Sequence, residues 1–256
     1  LKEADLKHWR EMDLKLPNPD FPDLDTRRVK RMMREYYASV HSVDRNIGRI
    51  MDFLDELNLT QNTVVIFTSD HGYMMGHHGL WHKGNGRWIT RSQKDPFELY
   101  EGGRPNTYDN SIHVPCVIRW PGVIEAGTTI DETITSIDWF PTILAMTNIK
   151  KPDGIILRGD DFLPLLQGKD IPWDNTLYVE YKNLRSYHTQ EWKLVRHFDD
   201  PEKDELYHIA IDPEENVNLI HDSRKQIQEI INKLDEKIIN KMKKLDDPLL
   251  KKNVSL

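Results

Sequence analysis

Cysteine is nearly absent. The 256 residues hold one, Cys116, which rules out an intramolecular disulfide and any zinc site built from several thiolates. No apolar run is long enough to cross a bilayer, so no membrane span is expected. Nor is there an excess of positive charge. A net charge of −7 gives no electrostatic footprint for nucleic acid or an anionic membrane surface. The opening stretch LKEADLKHWREMDLK lacks the apolar core of a signal peptide and reads like the interior of a longer polypeptide. What remains is a soluble globular composition, 38% hydrophobic and 30% charged, with length for one sizeable core and a smaller second unit.

Prolines 17, 19 and 22 predict an irregular lead-in over residues 1–25. Asp25 or Thr26 can then cap a long helix. Its apolar residues Val29, Met32, Met33, Tyr36, Tyr37, Val40, Val43, Ile47, Ile50, Leu54 and Leu57 recur at three- and four-residue steps until the NLTQN stretch. Val64, Val65, Ile66 and Phe67 follow as a short, fully buried strand. Helix, short loop and buried strand are the grammar of an α/β sheet layered with helices.

Residues 84–110 show no period and read as a long loop; Arg87, Trp88, Arg91, Arg104 and Tyr108 either line a pocket or decorate a solvated insertion. HVPCVIRWPG returns to strand and turn, with Cys116 expected as a buried, inert thiol. SIDWFPTILAMTNI predicts a capped helix with Asp138 near its start, and RGDDFLPLLQGKD a short helix and turn. From about residue 175 the segments TLYVEY, EWKLVRHF and DELYHIAI predict a small antiparallel sheet, covered by an apolar-striped helix over 222–244. The expected division is a larger α/β part, 1–172, and a smaller α+β unit, 173–256.

The chemistry concentrates where the first strand ends. Ligands of such sheets bind beyond the carboxyl ends of strands, and Asp70 and His71 stand at one. A carboxylate beside an imidazole can hold a divalent cation, with Gly72 letting the backbone turn around it. Asp70 can equally do no more than cap the next segment. Lys83 can present a point charge to an anionic ester oxygen or lie solvated at the surface. His77 and His78 are weaker candidates, either facing substrate or exposed in a loop.

The stretch NTVVIFTSDHGYMMGHHGLWHKGN, with YYASVHSVDRNIGRIMDFLDELNL before it and HVPCVIRWPG, SIDWFPTIL, GDDFLPLLQG and DELYHIAIDPEENVNL after it, resembles the second half of the formylglycine-dependent sulfatases. These belong to the alkaline phosphatase superfamily, and the resemblance spans roughly residues 30–222. It implies the C-terminal part of an alkaline-phosphatase-like sandwich, a mixed sheet flanked by helices with a smaller α+β subdomain. It implies Asp70 and His71 as metal ligands, usually for Ca²⁺, and Lys83 as the catalytic residue at the sulfate, and leaves His78 as the loop histidine taken as a substrate-binding candidate. The substrate implied is a small-molecule or saccharide sulfate ester, and the compartment implied is an exported one.

The family's formylglycine arises in a C-x-P-x-R motif that this chain lacks. Cys116 is followed by Val117, Ile118, Arg119 and Trp120, and the pairs Asp160–Asp161, Asp199–Asp200 and Asp246–Asp247 follow no buried strand. The nucleophile and two metal carboxylates are therefore expected outside these residues. A phosphonate monoester or phosphodiester hydrolase of the same superfamily, or a non-catalytic module, are the competing readings.

Overall fold

A computed structural model describes residues 3–10, 12–83, 90 and 106–252. Their packing divides the chain into two compact units, Leu1–Arg104 with Asn110–Glu125, and Pro105–Asp109 with Ala126–Leu256.

In the first unit, helix α1 (Glu3–Arg10) packs on the long helix α2 (Thr26–Glu56). The helix at residues 3–10 departs from the irregular lead-in expected there. Proline bars helix only near itself, and the first proline comes at position 17. Trp9 stacks on Tyr37 at 4.9 Å and Asp5 pairs with Arg45, so α1 is tied to α2 by a ring and a charge. Asp25 is the N-cap of α2, accepting from the Arg28 N–H at 3.0 Å. Val29 and Met33 bury against Trp81, with Leu14, Leu16 and Leu24 of the lead-in around them. The stripe predicted along the whole helix exists, but only its first half is covered; Val40, Val43, Ile50, Phe53 and Leu57 are exposed.

Strand β1 (Val65–Phe67) pairs antiparallel with β2 (Val117–Arg119), Ile66 opposite Ile118. The short helix α3 (Asp109–Ile112) lies before β2. The expectation of a fully buried first strand fails: Ile66 and Phe67 are exposed, because among the described residues this sheet has two strands. Cys116 is exposed for the same reason rather than buried. Partial burial still pushes its thiol pKa up, which keeps it in the unreactive protonated form.

In the second unit, a 3₁₀ turn (Ser136–Asp138) leads into α4 (Trp139–Met146). Asp138 Oδ2 accepts from the Thr135 N–H and hydroxyl at 2.7 and 2.8 Å, and its Oδ1 accepts the Asp160 N–H at 2.8 Å. Just before α5 (Leu163–Leu166), Asp161 Oδ1 accepts the Leu163 N–H at 2.9 Å. Strands β3 (Leu177–Tyr181), β4 (Leu184–His188), β5 (Lys193–His197) and β6 (Glu205–Tyr207) form an antiparallel sheet in sequential order. Its start at Leu177 lies close to the change of texture seen in the sequence.

This sheet has two unlike faces. Tyr187, Leu194 and Leu206 point to one side and pack under α6 (Lys225–Lys244) through Ile227, Ile231, Leu234, Ile238 and Met242. On that side Arg185 clamps Asp247 at 2.5 and 3.0 Å, and Asp247 also caps α7 (Pro248–Lys252). The opposite side carries His188, Lys193 and Tyr207 in register, all buried. Lys193 is wholly buried; its Nζ donates to Glu215 Oε1 at 2.6 Å, to the Thr107 carbonyl at 2.9 Å, and to Asp109. Glu215 Oε2 also accepts the Asp109 N–H at 2.7 Å. Burial pushes the Glu215 carboxyl up to about 7 in spite of the ammonium beside it. Burial likewise holds His188 well below its usual range, so it stays neutral and shares a 2.8 Å hydrogen bond with Ser186 Oγ.

Candidate active site

The chain leaves β1 at Phe67 and turns through Thr68 and Ser69, whose hydroxyl donates to the His71 carbonyl at 2.9 Å. Asp70 follows with its carboxylate in solvent, one oxygen accepting the His71 N–H at 3.1 Å. Hydrogen bonds from backbone N–H groups, its own first, hold the Asp70 pKa below the usual carboxylate range.

His71 is oriented by the next peptide. Its Nδ1 lies 2.7 Å from the Gly72 carbonyl, an acceptor only, so Nδ1 is the nitrogen that carries the proton. In the neutral ring the lone pair is then on Nε2, which sits 3.7 Å from Asp70 Oδ2. An imidazole whose far nitrogen is locked to a carbonyl, with its free nitrogen beside a carboxylate, is how proteins orient histidine toward a metal. The pair fits a divalent cation as part of a ligand set. Among the described residues no cluster of three or more His, Cys, Asp or Glu could complete it.

Gly72 matters through space rather than through its own dihedral angles. A Cβ there would lie 2.2 Å from the Asn110 carbonyl oxygen, and the Gly72 N–H donates to the Ser111 carbonyl at 2.8 Å. The start of α3 is thus seated on the residue that follows the two candidate ligands. Gly72→Ala must push that backbone away. We expect it to destabilise the chain by about 1–3 kcal/mol, the usual scale of overpacking, read as a shift of the urea midpoint.

Beyond Gly72 the chain curls back on itself. The Met74 N–H donates to the His82 carbonyl at 2.6 Å and the Gly76 N–H to the Leu80 carbonyl at 2.8 Å. Met75, Gly76, His78, Gly79 and His82 all have positive φ, a dense run of left-handed backbone that surrounding structure must hold in place. Tyr73 helps to hold it: its hydroxyl shares a 2.7 Å hydrogen bond with His82 Nδ1, and its ring stacks on Tyr36 at 5.1 Å and meets Trp81 edge-on. Trp81 is buried, in keeping with the shaped loop expected from its flanking glycines.

This closure pairs Met74 with His82, the residue before Lys83, which is exposed and forms no ion pair among the described residues. No hydrogen bond joins Lys83 to Asp70 or His71. His77 and His78 are half-buried, and the His78 N–H donates to Asn18 Oδ1 at 2.7 Å. Tyr108 is buried against Tyr207, ring centroids 6.2 Å apart, which suits a core role better than a pocket wall. Arg87, Trp88, Arg91 and Arg104 lie outside the described residues. The sequence reasoning missed Tyr73 and His82; the only signal for them was an aromatic residue and a histidine flanking an otherwise glycine-rich loop.

The sulfatase family model matches residues 7–149 of this chain. The chain belongs to the sulfatase family. A second family model, the C-terminal region of N-sulphoglucosamine sulphohydrolase, matches residues 104–244. The chain is 27% identical over 241 residues to an N-acetylglucosamine-6-O-sulfatase of Bacteroides thetaiotaomicron, covering 89% of this chain and 39% of that one. A solved structure of a protein in complex with its substrate D-glucosamine-2-N,6-O-disulfate is 26% identical with a TM-score of 0.67, covering 86% of this chain and 42% of the other. A phosphonate monoester hydrolase of Agrobacterium radiobacter is 25% identical with a TM-score of 0.67, covering 83% of this chain and 41% of the other. The fold is thus the mixed α/β architecture of the alkaline-phosphatase-like sulfatases. This sulfatase chain spans about two fifths of the length of these relatives.

Proposed function

We propose that this chain is the metal- and sulfate-binding part of a sulfuric ester hydrolase acting on a sulfated carbohydrate. The observation that carries the reading is the strand end itself, where the Asp70 carboxylate and the free Nε2 of His71 converge in a sulfatase-family chain. In this reading Asp70 and His71 hold a divalent cation, Ca²⁺ being the family's usual ion. Bound there, the ion would neutralise negative charge on the sulfuryl oxygens. Lys83 supplies a second positive charge to those oxygens, with His78 toward the substrate. The Tyr73–His82 hydrogen bond keeps the loop closed so that the ammonium is held in place before reaction, which is what makes such a charge effective. The sugar assignment is supported by the N-acetylglucosamine-6-sulfatase relative and by the disulfated glucosamine in the solved neighbour.

The formylglycine nucleophile of the family has no counterpart in C-x-P-x-R form among these 256 residues. The chain alone is therefore expected to release no sulfate from an aryl sulfate above a heat-treated control; turnover would overturn this division of labour. Joined to a segment bearing the nucleophile, it should release sulfate from a 6-O-sulfated glucosamine. Faster cleavage of a phosphonate monoester than of any sulfate ester would favour the phosphonate hydrolase reading, which the Agrobacterium neighbour supports.

A further inference from the structure

Helix α6 covers the four-stranded sheet with one face and gives the other to solvent, and the charges on that outer side are sorted by sign. At 3.6 residues per turn, Lys233, Lys237 and Lys244 fall within an arc of about 40°, with Lys241 bordering it. The first three are exposed and Lys241 is half-buried. Among the described residues none of the four forms an ion pair. Acids are not scarce, since Asp and Glu number 42 against 35 Lys and Arg, yet none stands in this arc between positions 233 and 244. Asp235 is engaged by Arg196 of β5 at 3.1 Å. Glu229 and Glu236 lie outside the arc, and Glu229 meets Lys225 at 3.7 Å. Stability does not account for the pattern. Lys233 and Lys237, then Lys237 and Lys241, are like charges four residues apart, and Lys241 and Lys244 three apart, so each pair opposes the helix. The helix C-terminus attracts positive charge in its last turn, which accounts for Lys241 and Lys244 and leaves Lys233 and Lys237 unexplained.

We propose that this lysine ladder is a binding surface for a linear sulfated polysaccharide, seating successive sulfate esters of one polymer on successive ammonium groups. The rungs stand about 6 Å apart along the axis where the spacing is four residues, and the ladder is about 16 Å long. A regular row of that kind suits charge repeated along an extended sugar backbone better than a single bound ion. The chemistry of the row selects sulfate. It holds no arginine, so it lacks the planar fork that suits the phosphates of nucleic acid, and offers compact point charges instead. The helix also carries no aromatic side chain on which a base could stack. A membrane surface is served by a free apolar helix face, and that of α6 is already spent on Tyr187, Leu194 and Leu206. The identity of the polymer rests on the proposed function, which the ladder deepens. Holding the polymer at a second place raises the local concentration of its sulfate esters without touching the reacting one. Small sulfate esters are too short to span the rungs and gain nothing from it.

The test is binding of the full 256-residue chain to immobilised dextran sulfate, with unsulfated dextran as the blank. The chain is expected to bind the sulfated polymer alone and to be released as salt is raised, because the contacts are exposed charges. Lys233→Gln, Lys237→Gln and Lys244→Gln combined should weaken binding on the order of 10-fold or more. Lys150→Gln, Lys151→Gln and Lys169→Gln remove the same net charge from exposed positions elsewhere and should bind like the parent. The urea midpoint of the ladder variant should match or exceed that of the parent, since like-charge pairs have been removed. Equal retention on dextran and dextran sulfate, an equal loss in the control triple variant, or a lowered midpoint in the ladder variant would overturn the proposal. So would tighter binding to duplex DNA or to phosphatidylserine vesicles than to dextran sulfate. Ladder-dependent binding in a complete enzyme that releases no sulfate from any ester would instead sink the proposed function and leave the polysaccharide surface standing.

Discussion

Lys193→Met is expected to destabilise the second unit by about 3–5 kcal/mol, the usual consequence of stripping one partner from a buried ion pair. Lys193 is wholly buried and faces Glu215, itself almost wholly buried, and Asp109, one third exposed. With methionine the volume is kept but two carboxylates share a dry pocket without a cation. The variant should unfold at markedly lower urea or fail to fold, and an unchanged midpoint would show that the cluster contributes little. A companion is Glu215→Gln, which keeps one acceptor oxygen for Lys193 and leaves the Asp109 N–H facing an amide NH₂ instead of the second carboxylate oxygen. Glu215 has its folded pKa raised to about 7 against 4.5 in a free chain. For an acid shifted upward the folded state favours the protonated form, so the contribution is complete below about pH 4.5 and is lost as pH rises through 7. The shift corresponds to about 3 kcal/mol across that window. Stability profiles of the parent and of Glu215→Gln should therefore diverge between those values, the parent falling and the variant staying flatter.

Lys83→Ala, in the complete enzyme, is expected to lower kcat/KM by on the order of 10²-fold or more, as when one preorganised charge is taken from a transition state. The residue is exposed, makes no ion pair among the described residues, and follows a loop closed by Tyr73 and His82, so its removal should spare both fold and metal content. Arginine should rescue poorly, because a planar fork does not reproduce a compact ammonium. Asp70→Ala should behave differently, losing bound metal as well as activity. Kinetics of Lys83→Ala within twofold of the parent would place Lys83 at the surface with no part in the chemistry.

Much of the local structure was readable because it follows from short-range rules. The α2 stripe, its Asp25 cap and the Asp138 turn at the start of α4 all depend on neighbours within four residues. The position of Asp70 and His71 just beyond the end of β1 was readable for the same reason. What stayed hidden depends on partners far along the chain. Strand β4, LRSYH, was not expected: its two charged or titratable residues, Arg185 and His188, are buried only through Asp247 and Ser186. Lys193 carried no signal at all, since Glu215 and Asp109 lie 22 and 84 residues away. The exposure of Ile66, Phe67 and Cys116 could not be foreseen, because alternation tells which residues want cover and not whether cover is present.

The unlike faces of the four-stranded sheet also determine how its strands can align. A slip of β5 by one residue would turn Lys193 under α6, among Ile231, Leu234 and Ile238, and would aim Leu194 at Glu215. Either misplacement strands a charge in hydrocarbon, so wrong pairings are rejected electrostatically as well as by packing. Burial of one face alone already specifies register strongly; here both faces are buried, so both oppose a slip. A one-residue deletion in the turn between β4 and β5 should accordingly abolish the sheet rather than shift it.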